Sequence, residues 1–263
     1  MINVSIDSAR SLYEVDGFCL FPEPVIPADV VERAVDGMDA IRRGEYDTDT
    51  PPQGSHWKPG DDPDALCKIE CPHHASRAIM DLVRHPALGD LVGAVTGADW
   101  VQVWWVQLLY KPPSDDNLAN IGWHADRQYW NVAWDISRSD LFTAWIALSD
   151  VTSDSGPMRF VPGTHKVDFG DAGDFWGQDL DALRDTIPMP DGMSWREVEA
   201  VLRPGGVSIH DMRTLHGSGP NRTSGPRRSF AIHMRTNRSE TNEESNLTRF
   251  IDDEVKAPII YRK

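Results

Sequence analysis

The chain has 263 residues, of which 40% are hydrophobic and 25% are charged, a composition typical of a folded globular protein. Its 26 Lys and Arg residues against 41 Asp and Glu residues give a formal net charge of -15, which argues against nucleic acid or an anionic membrane as the main partner. No run of about 18 apolar residues occurs, so the sequence predicts no transmembrane helix. The N-terminus has no basic stretch followed by an apolar block, and three cysteines cannot form a disulfide framework. We therefore expect a cytoplasmic protein with reduced thiols.

Residues 1–100 predict a helix-rich N-terminal part. Apolar side chains recur every three to four residues after Pro27, and the same period returns in residues 76–85 and 86–97. Gly97 is placed to end the last of these helices. Residues 48–64 are rich in Pro, Gly and Asp and predict a long surface loop.

After residue 100 the pattern changes to short runs of β-branched and aromatic residues, separated by turns rich in Gly, Pro, Asp and Ser. The predicted strands cover residues 101–111, 140–151, 158–162, 198–203, 206–211 and 227–236. Many short strands with such turns favour a sandwich or a closed barrel. Residues 166–195 form a long, acidic, Gly-rich stretch, which is typical of a lid or binding loop.

A candidate metal site begins at His124 and Asp126, which are two residues apart. On an extended strand such residues point to the same side and could bind one ion. His216 is a candidate third ligand from a neighbouring strand of a barrel. Two histidines and one carboxylate form the facial triad of non-haem Fe(II) oxygenases, which leaves coordination positions for a chelating 2-oxo acid and for dioxygen.

Arg227 follows His216 by eleven residues, across a Gly- and Pro-rich turn. The planar guanidinium of arginine suits a carboxylate through two charge-assisted hydrogen bonds, as the distal end of a 2-oxo acid requires. Arg228 could take the same role. Because side chains alternate along a strand, only one of the two points inward, and we favour Arg227.

Taken together, the His124-x-Asp126 motif, the segment 145–166, the His216-x-Ser218 motif and Arg227 resemble the phytanoyl-CoA dioxygenase family over roughly residues 10–240. Members of this family are Fe(II)/2-oxoglutarate oxygenases. The resemblance implies a mainly β fold with flanking α-helices, in which N-terminal helices pack on one sheet of a double-stranded β-helix (jelly roll, cupin-like) core. We expect a single domain over residues 1–263, with the helix-rich part at 1–100, the core at 101–240 and a C-terminal extension at 241–263.

The resemblance also implies the roles of individual residues. His124, Asp126 and His216 would bind iron, and Arg227 would bind the distal carboxylate of 2-oxoglutarate, with O2 as the second cosubstrate. Residues at cosubstrate-lining positions of the family are Ser218, Trp145 and Gln107. Ten tryptophans are many for this length, and several near His124 are expected to wall a pocket for a small-molecule substrate. Candidate substrate contacts are Arg127, Tyr129 and Trp130.

We expect oxidative tailoring of a small metabolite, by hydroxylation, epimerisation, desaturation or cyclisation, in secondary metabolism. Halogenating relatives carry Ala or Gly at the position of Asp126, so its carboxylate argues against halogenation. One alternative is hydroxylation of an amino acid or osmolyte. A second is a non-oxidative, cupin-type isomerase or lyase, which would have no need of Arg227, and a third is a non-catalytic binding module. The sequence leaves the oligomeric state open.

Two histidine-containing segments allow other interpretations. His210 could be mistaken for a ligand, but its spacing to Arg227 is wrong and a core or supporting role is favoured. The CKIECPHH segment, residues 67–74, invites a zinc hypothesis. Its ligands lack the longer separation of zinc modules, so packed thiols beside a helix N-terminus are the favoured interpretation.

Overall fold

The computed structural model describes residues 6–114, 119–242 and 245–263. The helices of these residues are α1 (Ile6–Asp16), α2 (Ala28–Arg42), α3 (Arg77–Val83), α4 (Pro86–Thr96), α5 (Arg127–Trp130) and α6 (Leu180–Thr186). The three helices predicted in the N-terminal part are thus confirmed as α2, α3 and α4, whereas α1 was not predicted. Gly97 ends α4 in the left-handed conformation, with φ 63°, which glycine adopts without steric cost.

The strands form two sheets. They are β1 (Phe18–Phe21), β2 (Cys67–Glu70), β3 (Trp100–Lys111), β4 (Ile121–His124), β5 (Leu141–Ala147), β6 (Met158–Phe160), β7 (Val198–Glu199), β8 (Val207–Asp211), β9 (His216–Ser218), β10 (Arg227–Thr236) and β11 (Ile259–Arg262). In the described part of the chain, the larger sheet has the order β1-β8-β5-β10-β3-β11, with β2 also paired to β3. The smaller sheet has the order β4-β9-β6-β7.

The two sheets face each other across one apolar layer and the helices cover the other side of the larger sheet. Phe18 of β1 stacks on Phe160 of β6 at 4.7 Å between ring centroids, which joins the sheets. The helical layer packs on the outer face of the larger sheet through buried residues of α2, α3 and α4. The predicted jelly-roll class, with N-terminal helices on one sheet, is confirmed.

A bulge in β3 turns two adjacent tryptophan side chains towards the inside of the fold. His233 of β10 lies opposite Trp105, whereas Met234 lies opposite Val103, so Trp104 is the extra residue. Strand alternation changes phase at such a bulge. Val103 and Val106 therefore both pack towards the helices, while Trp104 and Trp105 both join the aromatic cluster inside the fold. Alternation alone would have directed one of the two tryptophans outward.

The predicted ends of the strands agree best with the structure for the two longest strands. β3 and β10 match their predicted ranges nearly residue for residue, whereas the prediction for 140–151 is too long, because β5 ends at Ala147. The prediction for 198–203 is also too long, since only Val198–Glu199 pairs as a strand. β1, β2 and β11 were not predicted as strands, whereas β4 and β9 are the neighbouring strands that the metal-site prediction placed at His124 and His216. No helix among the described residues is long and apolar enough to cross a membrane.

Candidate metal centre

The three predicted ligands meet at one buried place between the sheets. His124 ends β4 and His216 begins β9, and the two residues are direct cross-strand partners with ring centroids 4.2 Å apart. Asp126 Oδ1 lies 3.7 Å from His124 Nε2 and 3.8 Å from His216 Nε2. The ligand atoms of all three side chains lie within 4.8 Å of one another, so this set could hold a metal ion.

Backbone carbonyls orient both histidine rings. His124 Nδ1 lies 2.8 Å from the Gly122 carbonyl and His216 Nδ1 lies 2.9 Å from the Thr214 carbonyl. A carbonyl can only accept, so each Nδ1 carries the proton and each Nε2 presents a lone pair towards Asp126. Burial, with the neighbouring histidines next, lowers the pKa of His216 well below its ordinary value, which keeps the ring neutral and able to bind a metal.

Asp126 reaches the site, but the prediction that it lies on the same strand as His124 is wrong. β4 ends at His124, and Asp126 has helical dihedrals, φ -56° and ψ -32°, at the start of α5. The chain turns into this short helix immediately after the first ligand. The turn directs the carboxylate back over the histidines, where alternation along an extended strand had been expected to do so.

A hydrogen-bonded chain fixes the other oxygen of this carboxylate. The Thr143 hydroxyl donates to Asp126 Oδ2 at 3.0 Å and accepts from His233 Nδ1 at 2.8 Å. Asp126 is therefore an oriented carboxylate whose Oδ1 faces the histidine nitrogens. Sequence analysis missed Thr143, since a lone threonine in an apolar strand carries no motif.

Arg227 is buried beside the same cavity, with only 1% of its surface exposed. Its Nη1 donates to the Gly156 carbonyl at 3.1 Å, whereas Nε and Nη2 have no hydrogen-bond partner within the described residues. Burial lowers the pKa of Arg227 to about 9. Arg228 points the other way, to Asp39 at 3.2 Å. A buried cation with two free donors fits an incoming carboxylate.

The other predicted cosubstrate residues surround Arg227. Trp145 has its ring centroid 5.1 Å from the guanidinium carbon. The Ser218 hydroxyl donates to the Gly156 carbonyl at 2.9 Å and accepts from Lys111 Nζ at 2.6 Å. Lys111 is fully buried and was missed, because a lysine at the end of an apolar strand is ordinarily solvent-exposed. An inner chamber is lined by the predicted cosubstrate residues and the three ligands: Gln107, Trp145, Ser218, Arg227, His124, Asp126 and His216.

A second, outer chamber of about 320 Å³ adjoins the inner one. Both chambers share Gln107, Asp126, Phe175 and His233. The other residues that line the outer chamber are mostly aromatic or charged: His56, Lys68, Glu70, Trp104, Trp105, Tyr129, Trp130, Trp176 and Leu247. Tyr129 and Trp130, the predicted substrate contacts, therefore line the outer chamber. Arg127 lines neither chamber and pairs with Asp168 at the surface.

The 166–195 segment covers the metal centre through Phe175. Its backbone pairs with β4, since Gly122 N donates to the Phe175 carbonyl and Asp174 N donates to the Trp123 carbonyl, both at 2.9 Å. Gly173 has φ 96° and passes so close to Trp123 that a Cβ would lie 2.2 Å from its carbonyl oxygen. This close approach places the Phe175 ring 5.0 Å from the His124 ring.

A jelly-roll core with a buried set of two histidines and one carboxylate defines the class of mononuclear non-haem metal oxygenases. A family model described as phytanoyl-CoA dioxygenase (PhyH) matches residues 13–229. The chain belongs to the phytanoyl-CoA dioxygenase family, as its motifs predict.

Curated relatives of this chain are dioxygenases. The probable alpha-ketoglutarate-dependent hypophosphite dioxygenase of Stutzerimonas stutzeri is 30% identical over 189 residues, which cover 66% of this chain and 59% of that protein. The ectoine dioxygenase of Bordetella parapertussis is 26% identical over 239 residues, covering 85% of this chain and 73% of the relative. The chain spans 59% of the first of these relatives and between about half and three quarters of the length of the others.

Solved structures support the fold. The non-haem alpha-ketoglutarate-dependent carbocyclase SnoK from nogalamycin biosynthesis superposes with a TM-score of 0.71 at 19% identity, covering 98% of this chain and 97% of its own. The epimerase SnoN, solved with Fe3+, alpha-ketoglutarate and nogalamycin RO, gives a TM-score of 0.68 at 23% identity, covering 90% and 86%. The predicted cofactor set of iron, 2-oxoglutarate and O2 agrees with these neighbours, with the dioxygenase relatives and with the donor set of the centre.

Proposed function

We propose that the chain is an Fe(II)- and 2-oxoglutarate-dependent dioxygenase acting on a C–H bond of a small, ring-bearing metabolite. The observation that supports this most strongly is the pairing of a buried His-Asp-His set with a buried arginine that has two free donors. An isomerase or lyase with the same three ligands would have no use for such a cation. The arrangement therefore favours a chelating dicarboxylate as cosubstrate.

In this proposal His124, Asp126 and His216 would hold the iron beside the inner chamber. Arg227 binds the distal carboxylate of 2-oxoglutarate, and Ser218 and Trp145 line its path. The bound iron, 2-oxoglutarate and O2 together supply the oxidising power, while the protein supplies position. No side chain needs to act as a general base.

Other residues of the site orient the ligands and exclude water from them. Thr143 and His233 keep the Asp126 carboxylate from rotating, because one oxygen is held by the hydroxyl at 3.0 Å. Phe175 and Trp145 exclude water from the histidine rings and from the guanidinium, respectively, which strengthens the electrostatic contacts inside. A carboxylate at position 126 occupies the place that a halide would need, so halogenation is not proposed.

The outer chamber supports a compact substrate with at least one flat or ring face. A volume of about 320 Å³ lies at the small end of the range for ligand sites. Its aromatic walls suit a ring face, and the half-buried Lys68–Glu70 ion pair in its lining offers both a donor and an acceptor to polar substituents. A compact osmolyte is the second candidate, because several curated relatives are ectoine dioxygenases. A role in secondary metabolism rests on neighbours such as SnoK and SnoN.

Succinate release tests the proposal directly. Full-length protein is incubated with Fe(II), ascorbate, O2 and 2-oxoglutarate, alone and with panels of ring-bearing metabolites and compact osmolytes. We expect iron-dependent succinate that rises with one panel and is lost in Asp126→Ala. Equal succinate from wild type and Asp126→Ala would overturn the dioxygenase proposal. Stimulation by osmolytes alone would move the substrate to that class and leave the reaction type unchanged.

A further inference from the structure

A second cluster of metal-binding side chains lies in the turn between β2 and α3. Cys71, His73 and His74 are all buried, with 1%, 2% and 6% of their surfaces exposed. The Cys71 Sγ and one ring nitrogen of each histidine lie within 4.8 Å of one another. Among the described residues only this set and the His-Asp-His set have that geometry. The cluster shares no residue with either chamber of the candidate metal centre.

The hydrogen bonds of the two histidines leave one nitrogen of each ring free. His73 Nε2 and His74 Nε2 both contact the Lys256 carbonyl, at 3.0 and 3.1 Å. A carbonyl only accepts, so both Nε2 atoms carry protons and both Nδ1 atoms carry lone pairs. Neither Nδ1 has a hydrogen-bond partner within the described residues. Two buried, unpaired acceptors in adjacent residues are unfavourable unless something binds them.

This pattern is the usual arrangement around a metal. A histidine that binds a metal through one ring nitrogen donates its other N–H to a backbone carbonyl or a carboxylate. The Lys256 carbonyl performs that role for both rings at once.

The backbone at Cys71 is fixed in an uncommon conformation that supports the same interpretation. Its φ is 51°, in the left-handed region, where no other described non-glycine residue has a positive φ. Cys71 N donates to the Val106 carbonyl at 2.8 Å, which anchors the residue to β3. Such strained positions persist where surrounding structure holds them and are common at ligand sites.

We propose that Cys71, His73 and His74 bind a zinc ion at a site distinct from the iron centre. One thiolate and two imidazoles are ligands that zinc prefers, and an iron centre of the facial-triad type uses a carboxylate in place of the thiolate. Zinc binding displaces the thiol proton, and both orphaned Nδ1 atoms gain a partner. The short spacing of these residues in the sequence had favoured packing over metal binding. It is compatible with a metal site because all three residues lie in one tight turn.

The site has a structural role in this proposal, since it faces the C-terminal extension. Both rings are held by the Lys256 carbonyl, and the Phe250 ring packs edge-on against His74 at 5.1 Å. Lys256 Nζ lies 4.7 Å from the same Phe250 ring. Zinc would therefore fix the surface on which residues 245–263 dock, and its removal would loosen that segment first.

Cobalt(II) substitution tests the proposal independently of the oxygenase function. The probe is Co2+ added to metal-free, reduced full-length protein, in the wild type and in a His124→Ala/His216→Ala variant that lacks the iron centre. A thiolate ligand gives cobalt an intense near-ultraviolet charge-transfer band, which a set of two histidines and one aspartate cannot give. We expect the band in both proteins, its bleaching by one equivalent of Zn2+, and its loss in Cys71→Ser.

Cys67→Ser is the matched control, because Cys67 is equally buried, lies four residues away and belongs to no such cluster. We expect this variant to keep the band. The absence of the band from folded wild-type protein would overturn the proposal even if Cys71→Ser failed to fold. So would persistence of the band in Cys71→Ser, or its loss in Cys67→Ser alone. Zn2+ should also protect residues 245–263 from amide exchange in the wild type, and equal exchange with and without Zn2+ would contradict the structural role.

Discussion

Replacing Arg227 with methionine should separate binding of 2-oxoglutarate from stability of the fold. Methionine keeps the unbranched stem and removes the charge. In the folded chain, burial lowers the pKa of this guanidinium from 12.5 to about 9, so holding it charged costs on the order of 4–5 kcal/mol. Its single hydrogen bond, to the Gly156 carbonyl, repays only part of that cost. We therefore expect the unfolding free energy of Arg227→Met to equal or exceed that of the wild type.

Binding should change in the opposite direction. Losing one partner of a buried, hydrogen-bonded charge pair typically costs about 2–5 kcal/mol, which corresponds to a roughly 30-fold to several-thousand-fold weaker affinity for 2-oxoglutarate. Affinity for Fe(II) should stay within about threefold, because Arg227 is not among the metal-binding set. Anaerobic calorimetry with Fe(II) and then 2-oxoglutarate measures both constants, and chemical denaturation measures stability.

Arg228→Met is the matched control, since the adjacent side chain pairs with Asp39 outside both chambers. It should bind 2-oxoglutarate as the wild type does. The reasoning is refuted if Arg227→Met retains wild-type affinity for 2-oxoglutarate, or if Arg228→Met is the variant that loses it. A marked loss of stability in Arg227→Met would show instead that the buried cation has partners in the fold.

Three further substitutions test other parts of the account. Asp126→Ala should abolish succinate formation while leaving the fold intact by circular dichroism, and residual turnover near the wild-type rate would exclude it as a ligand. Lys111→Met should lower the unfolding free energy by about 1–3 kcal/mol, because Ser218 Oγ and the Gly219 carbonyl lose their donor at 2.6 Å, and an unchanged denaturation midpoint would contradict this. Burial raises the pKa of Asp211 from 3.8 to about 6, so this carboxyl favours folding below pH 4 and that contribution is lost as pH rises through 6. The Asp211→Asn variant should lack this decline, at most about 3 kcal/mol in the difference between the two stability-pH curves, and parallel curves would contradict the assignment.

Long periodic segments could be predicted from sequence because their burial pattern is local. The apolar stripe of α2 and the β-branched runs of β3 and β10 each specify one element without knowledge of the rest of the chain. The short strands β4 and β9 have no such local pattern, and they were expected only because the metal-site motifs required two neighbouring strands at His124 and His216. Each has only three or four residues, and their pairing depends on sheet contacts between residues about ninety positions apart.

The candidate site was predictable to the extent that it follows a motif. His124, Asp126, His216 and Arg227 were found by spacing and resemblance, and the structure gathers them at one cavity. The path of the chain was not predictable, since Asp126 reaches the site through a helical turn in place of a strand. Supporting residues such as Thr143 depend on contacts across the sheet that no local pattern encodes.

The β3 bulge gives a second physical reason for what sequence analysis missed. A single inserted residue reverses the alternation of a strand, so Trp104 and Trp105 both turn inward. The sequence correctly indicated that tryptophans would crowd the site. Which of them line the outer chamber depends on that one shift of register.

Anaerobic titration of the metal-free protein with Fe(II) and then 2-oxoglutarate shows whether the His124, Asp126 and His216 site binds both. The chelate of 2-oxoglutarate on iron gives a weak visible charge-transfer band, and His216→Ala serves as the control. We expect the band to develop in the wild type and to be absent from the variant. No band in the wild type, together with tight binding of zinc or nickel at His124, Asp126 and His216, would contradict the account and place the chain among the non-oxidative metal-dependent isomerases or lyases.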